Sequence, residues 1–314
     1  MPSQVDVVVA GSCVMDLLCH PVALDRPIGG GALHAIAPPA ALPGGITSNA
    51  GIAMARLGLR VGAASFVGDD AWGTLLRNAL QGEGVETARL RTHPEAPTST
   101  TVVLVDDAGE RSFLHAQGAP KRIDAGFLID DVQAWRGVGW VLLGYYPLLP
   151  DLIDDLPEVM RTLQSLGCKT ALDSAGGLER GGTLDVLAPT LPYLDLYIPS
   201  RGEAQTQTGE ADPARMVERY RDAGAEGLVG VKLGGAEGVL LSPRRGEVLH
   251  VPSAAPPGPV IDTTGAGDCF LAGLIAGLTR GMSVREAGEL GCAVAAQSVT
   301  ALGGWAGVVA DGAQ

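Results

Sequence analysis

Apolar positions along the chain fall into two periods that alternate. Residues 5–10, interrupted only by Asp6, form a mostly β-branched run closed by Gly11, the pattern of a strand covered on both faces. The apolar spacing over 47–57, stopped by Gly58, predicts a helix. A strand at 61–67 and a helix at 71–81 follow. Beyond residue 138 the alternation resumes with a strand at 140–143, a helix at 151–166, strands at 169–173 and 194–198, a helix at 213–223 and a strand at 228–232. An apolar helix ending near Leu278 comes later. Such alternation implies a doubly wound, mostly parallel α/β sheet flanked by helices.

Two stretches interrupt the pattern. Residues 17–45 carry Pro21, Pro27, Pro38, Pro39, Pro43 and the run Gly29-Gly30-Gly31. Residues 97–118 read as a strand pair, 98–105 and 111–116, joined by a turn at Asp106-Asp107-Ala108-Gly109. Together they are expected to form a small β lid, leaving residues 1–16, 46–96 and 119–314 as the α/β domain. For the first segment a long surface loop fits the residues equally well.

Composition removes several function classes. The net charge of −13, from 35 acidic and 22 basic residues, argues against a nucleic-acid partner. The basic pairs Lys121-Arg122 and Arg244-Arg245 are isolated and read as solvated surface. The longest apolar run, 269–278, is too short to span a bilayer, so no membrane association is expected. The first residues have no basic region of the kind that opens an export signal, and the five cysteines are scattered without a C-x-x-C pair. Reduced thiols and a cytoplasmic location are the expectation.

The most informative segment is Ile261-Asp262-Thr263-Thr264-Gly265-Ala266-Gly267-Asp268-Cys269-Phe270. Small residues at 265–267 let the backbone approach a ligand, and the following helix points unpaired N–H groups at it, which makes an anion site. Asp268 falls in the first turn, where the helix dipole favours its ionised form and where a carboxylate can take a hydroxyl proton during phosphoryl transfer. On residue types alone, a helix start with an acidic residue near its cap fits as well.

The whole string closely resembles the D-T-x-G-A-G-D signature of the ribokinase-like (pfkB-type) carbohydrate kinases. The resemblance implies that Asp268 is the catalytic base, that Gly265, Ala266 and Gly267 form the anion hole, and that a potassium ion binds beside the loop through Asp262 and Thr264. Other segments are similar to the family in order and spacing. Gly11-Ser12-Cys13-Val14-Met15-Asp16 ends at the position of a substrate-binding Asp, and Gly44-Gly45-Ile46-Thr47-Ser48-Asn49 resembles a G-G-x-x-x-N motif, implying that Asp16, Gly44, Gly45 and Asn49 hold the sugar. Gly68-Asp69-Asp70 with Gly73 resembles a G-x-D-x-x-G turn, and Gly109-Glu110-Arg111-Ser112-Phe113 resembles a lid strand from which Arg111 would reach substrate. Pro199-Ser200-Arg201-Gly202-Glu203 falls at N-x-x-E, implying that Ser200 lies at the nucleotide and that Glu203 organises Mg²⁺ through water. Lys232, Gly234 and Gly238, with a helix around Cys292, would line ATP.

The departures concern the substrate and one phosphate contact. Ser200 stands where the family has Asn, Val14 and Ile46 replace polar residues of ribokinase, and Gly144-Tyr145-Tyr146 replaces an acidic position. There is no G-x-x-x-x-G-K-[ST], no G-x-G-x-x-G after the first strand, no H-E-x-x-H and no G-x-S-x-G. The expected activity is an ATP-dependent kinase for a sugar or sugar acid, with a fructokinase- or 2-keto-3-deoxygluconate-kinase-like substrate. A nucleoside kinase and a non-catalytic nucleotide or metabolite sensor are the alternatives. A homodimer pairing through the exposed lid strand is a further expectation.

Overall fold

The computed structural model describes residues 5–25, 29–31, 33–107, 110–175 and 182–310. In chain order its elements are β1 (Val7–Gly11), β2 (Val14–Cys19), β3 (Ala40–Gly44), α1 (Ile46–Arg56), β4 (Val61–Gly68), α2 (Ala71–Gly82), β5 (Glu86–His93), β6 (Ser99–Val105) and β7 (Arg111–Ala116). Then come α3 (Ala125–Ile129), β8 (Trp140–Gly144), α4 (Leu156–Ser165), β9 (Lys169–Leu172), α5 (Leu184–Leu187), β10 (Leu196–Tyr197), α6 (Arg201–Thr208) and α7 (Pro213–Asp222). The last are β11 (Leu228–Gly234), β12 (Gly238–Ser242), β13 (Leu249–Val251), α8 (Ala266–Thr279) and α9 (Val284–Ser298).

Nine strands form one sheet in the order β13-β12-β11-β10-β9-β8-β1-β4-β5, parallel from β11 to β5 and closed at one edge by the antiparallel β12 and β13. Each face carries its own apolar layer. On β1, Val7 and Val9 pack with α1, α2, α8 and α9, whereas Val8 and Ala10 pack with α3, α4 and α7. Burial on both sides explains why β1 reads as continuous rather than alternating hydrophobicity. Because β4 and β8 lie on opposite sides of β1, the strand order reverses there, and the carboxyl ends of the parallel strands open a crevice at the reversal.

The small sheet has the order β3-β2-β6-β7. Its first strand begins at Val14, ahead of the residue-17 boundary expected from the sequence, so Asp16 lies on the small sheet. Gly11 makes the early departure feasible: its φ is +122°, and a Cβ there would meet the Gly144 carbonyl oxygen at 2.3 Å. Strands β6 and β7 pair antiparallel as expected, although Ala108 and Gly109 of the predicted turn lie outside the described residues.

Other boundaries move for local reasons. The helix expected at 151–166 is a 3₁₀ turn, Ile153–Asp155, followed by α4, whose Pro157 sits in the first turn where no N–H is needed. The strand expected at 194–198 shrinks to Leu196–Tyr197, and pairing with β11 resumes at Ser200, beyond Pro199. Strand β5 was not predicted, because Glu86, Arg89 and Arg91 along it leave no two-residue apolar period. Among the described residues no helix is long and apolar enough to cross a membrane.

Helix α8 is held by close backbone packing. A Cβ on Gly273 would lie 2.8 Å from Gly291 Cα on α9, and one on Gly277 would lie 2.8 Å from Ala287 Cα. Replacing Gly273 by Ala gains roughly 1 kcal/mol of helix propensity but forces α9 away, an overpacking cost of about 1–3 kcal/mol. Denaturant unfolding of Gly273→Ala is therefore expected to show net destabilisation, and an unchanged or higher midpoint would refute this packing argument.

Candidate active site

The site assembles at the crevice, around the first turn of α8. Gly265 caps that helix with φ +71°, and a Cβ there would strike the Gly304 carbonyl oxygen at 2.6 Å. Ala266, Gly267 and Asp268 form the first turn; the Gly267 and Asp268 N–H groups have no helical partner, while the Ala266 N–H donates to the Thr263 carbonyl at 3.4 Å. Asp268 is only 3% exposed. Its Oδ2 accepts from Asn49 Nδ2 at 2.8 Å and from the Tyr145 hydroxyl at 2.7 Å. Burial raises the Asp268 carboxyl above the usual range, opposed by those two hydrogen bonds and by Lys232. Tyr145 holds its position in the left-handed region, at φ 60°, immediately after β8, and burial pushes its phenol well above the usual value.

A cavity of about 290 Å³ lies on one side of Tyr145, bordered by Asp16, Gly45, Asn49, Asp262 and Thr264 and walled by aliphatic residues including Val14, Leu42 and Leu148. Asp16 exists in its observed pose because position 44 has no side chain: a Cβ on Gly44 would be 2.0 Å from Asp16 Oδ2. Burial, with a further push from Asp262, raises the Asp16 carboxyl to about 6 against a hydrogen bond from Thr101. Asn49 Oδ1 is buried without a partner among the described residues. A buried amide oxygen in that condition costs about 1–3 kcal/mol, which a donor entering the cavity would relieve.

A larger cavity of about 830 Å³ lies on the other side, lined by Ser174, Ser200, Glu203, Lys232, Gly234, Gly265, Gly267 and Asp268. Tyr145 and Phe113 border both cavities. Lys232 pairs with Asp173 at 3.0 Å, and its ammonium nitrogen would be 3.3 Å from a Cβ on Gly267, so a cation stands beside the N–H groups of α8. Burial lifts Asp173 to about 7 despite Lys232. Lys232 itself stays above its usual value, because Asp173 and Glu203 outweigh its desolvation. Ser200 and Glu203 form a capping box on α6: the Ser200 hydroxyl accepts from the Glu203 N–H at 3.4 Å, and Glu203 Oε2 accepts from the Ser200 N–H at 2.7 Å.

Most of the residues singled out in the sequence therefore meet at these two cavities, with Gly44 beneath Asp16 and Ala266 in the first turn of α8. Three do not. Cys292 is 7% exposed and packs in the apolar layer of α9. Gly238, with φ +89° and a Cβ position 2.2 Å from the Val251 carbonyl oxygen, shapes the turn into β12. Arg111 does not border the smaller cavity; it pairs with Asp262 at 2.7 Å. Sequence reasoning noted Tyr145 only as a departure from an acidic position and gave Asp173 no role. The usable signal was position: both follow parallel strands directly at their carboxyl ends.

Comparison with known proteins gives this geometry a lineage. The family model described as pfkB family carbohydrate kinase matches residues 4–309. The chain belongs to that family. It is 31% identical to a fructokinase of Escherichia coli over 264 residues, 78% of this chain and 80% of that protein. It is 28% identical to a 2-dehydro-3-deoxygluconokinase of Bacillus subtilis over 281 residues, 87% of this chain and 85% of that protein. Arabidopsis thaliana ribokinase, solved with ribose and ATP, superposes with a TM-score of 0.82 at 25% identity, covering 98% of this chain and 96% of that one. As a family member, the protein is a phosphotransferase with a hydroxyl acceptor, of the sugar-kinase type.

The raised pKa of Asp16 has a definite sign in stability. A carboxylate whose folded value is about 6 rather than 3.8 is penalised in the fold once ionised, so stability is lost as pH rises through that interval. Asp16→Asn is expected to be more stable than wild type at pH 8, by about 1–2 kcal/mol, with the gap closing near pH 4. A gap that is absent at pH 8, in thermal or urea unfolding, would show that Asp16 carries no such penalty. Gly44→Ala should leave the fold standing while displacing Asp16, raising KM for the sugar about 10-fold or more; an unchanged KM would mean that this carboxylate does not hold substrate.

Proposed function

We propose that this protein transfers the γ-phosphoryl group of ATP to a hydroxyl of a sugar or sugar acid, with Asp268 as the base. One observation carries the reading: a buried carboxylate lines the larger cavity while its two side-chain donors, Asn49 and Tyr145, border the smaller one, and both donate to Oδ2, which leaves Oδ1 for an incoming hydroxyl. The smaller cavity suits a sugar, gripped by Asp16, Gly45 and Asn49. The larger suits ATP, with its terminal phosphate against residues 265–267 and Lys232.

In this reading the acceptor hydroxyl donates to Asp268 as it attacks the γ-phosphorus. The proton passes to the carboxylate while charge on the transferring group is met by the N–H groups of α8 and by Lys232. Mg²⁺ arrives with the nucleotide and neutralises phosphate charge when bound. Glu203 borders the cavity where its waters would lie, and among the described residues no cluster of three or more His, Cys, Asp or Glu side chains forms a separate metal site. Ser200, engaged as the cap of α6, shapes this wall and is not assigned a phosphate bond. The small sheet would close over the sugar and exclude water, and β7, the edge strand of that sheet with Phe113 and Leu114 exposed, is the edge through which two copies would pair.

For the acceptor, the lid string Glu110-Arg111-Ser112-Phe113 and the similarity to a fructokinase and a 2-dehydro-3-deoxygluconokinase support a ketose or a keto-sugar acid. A nucleoside is the second reading, favoured by the aliphatic wall of Val14, Leu18, Leu42, Val103 and Leu148, which offers sugar hydroxyls no partners. A panel of ketoses, sugar acids and nucleosides assayed for ADP release separates these, and ATP binding with no turnover on any of them would leave only a nucleotide sensor.

Asp268→Asn should retain ATP affinity and lose roughly 10²–10⁴-fold in kcat, the span for losing general-base assistance. Because burial raises the Asp268 carboxyl, the acid limb of wild-type kcat/KM is expected above the ordinary carboxylate range. Near-wild-type kcat in Asp268→Asn would remove this residue as the base.

A further inference from the structure

The loop leading into the anion hole carries a cation already, and it belongs to the protein. Asp262 is 4% exposed at its side chain, and both of its oxygens are engaged. Oδ1 accepts from the Thr264 N–H at 2.7 Å and lies 2.7 Å from Arg111 Nη1; Oδ2 accepts from the Gly303 N–H at 2.9 Å. The same Arg111 nitrogen donates to the Thr264 hydroxyl at 2.6 Å, and its side chain is only 15% exposed. Asp262 and Thr264 are the two residues through which the family resemblance implies a potassium ion. Here their oxygens face a guanidinium, which is permanently charged and planar. A resident metal ion at this pair would have to displace it. The pair does not fit potassium.

We propose that Arg111 is a positioning residue that takes the place of a monovalent cation, fastening the lid strand β7 to residues 261–264 and thereby fixing the anion hole that begins at Gly265. Two elements far apart in sequence meet at this one contact. Lifting β7 would strand Asp262 in a buried site without its counter-charge, a state that is strongly disfavoured. Closure of the lid over the sugar and ordering of the phosphate-binding turn are thus one event. Binding of the acceptor under β7 is coupled to readiness for phosphoryl transfer, and the enzyme is indifferent to potassium.

This inference rests on the kinase reading for its kinetic arm alone. In wild type, initial rates in potassium, sodium and tetramethylammonium chloride at matched ionic strength should agree within about twofold. Arg111→Ala should lose about 10- to 100-fold in kcat, as displaced catalytic geometry does, and recover part of it on addition of guanidinium or potassium. Arg111→Lys, which keeps the charge without the fork, should fall between. Thermal unfolding needs no turnover: potassium in place of tetramethylammonium should leave wild-type Tm unchanged and raise that of Arg111→Ala by about 2–4 °C. A wild-type enzyme activated or thermally stabilised by potassium overturns the proposal, even if the variant does not fold. So does an Arg111→Ala enzyme with wild-type kcat, or one whose loss neither cation repairs. Absence of any turnover in wild type would count against the kinase reading instead, while the thermal comparison would still decide this one.

Discussion

The molecule is organised around one buried negative charge. Asp268 loses most of its hydration at the first turn of α8, and that loss is tolerable because Asn49 and Tyr145 donate to it and Lys232 lies near. Each of those groups comes from a different part of the chain: α1, the end of β8, and β11. The constraint therefore reaches through the fold. Asn49 is in place because Gly45 starts α1 against the Ser12 carbonyl, and Gly304 leaves room for its amide, since a Cβ there would be 2.5 Å from Oδ1. Tyr145 accepts a left-handed backbone to reach the same oxygen. Glycines in the site thus mark places where backbone and functional side chains share one volume.

Charge in the crevice is arranged in opposed pairs. Lys232 faces Asp173 beside the N–H groups of α8, and Arg111 faces Asp262 beneath the loop that precedes them. Both cations flank the turn where phosphate charge would develop, and both are largely withdrawn from solvent. An overall charge of −13 is no obstacle to a nucleotide when local amides and two partly buried cations set the field at the phosphate.

Much of this was legible in the chain, and the limits are physical. The parallel strands announced themselves through β-branched runs such as residues 5–10, and the segment from Asp262 to Asp268 announced a helix start built for an anion. Strand β5 escaped because only Thr87 and Leu90 along it are buried, three apart among charged residues, so no two-residue period shows, and β12 and β13 because an antiparallel edge carries little period of its own. At the site, motif order pointed to Asp16, Asn49 and Asp268, which are tied to glycine-rich turns with recognisable spacing, and the fold brings them to the two cavities. It could not find Tyr145 or Asp173, whose roles depend on two distant segments meeting. It set Cys292 at the nucleotide, whereas the thiol packs in the apolar layer, since a helix has a face toward the core whatever lies on its other side. Arg111 was expected to reach substrate; the fold shows its guanidinium paired with Asp262, a long-range contact that no motif spacing reveals.

The central claim is that donors on one oxygen of Asp268 set its basicity and leave the other for the acceptor hydroxyl. Tyr145→Phe tests this directly, because it deletes one donor and little else. Since that hydrogen bond lowers the Asp268 pKa, its loss should move the acid limb of kcat/KM to higher pH, by about one unit for a hydrogen bond to a charged group. An acid limb that stays where it is in wild type, measured on the same sugar, would contradict the account.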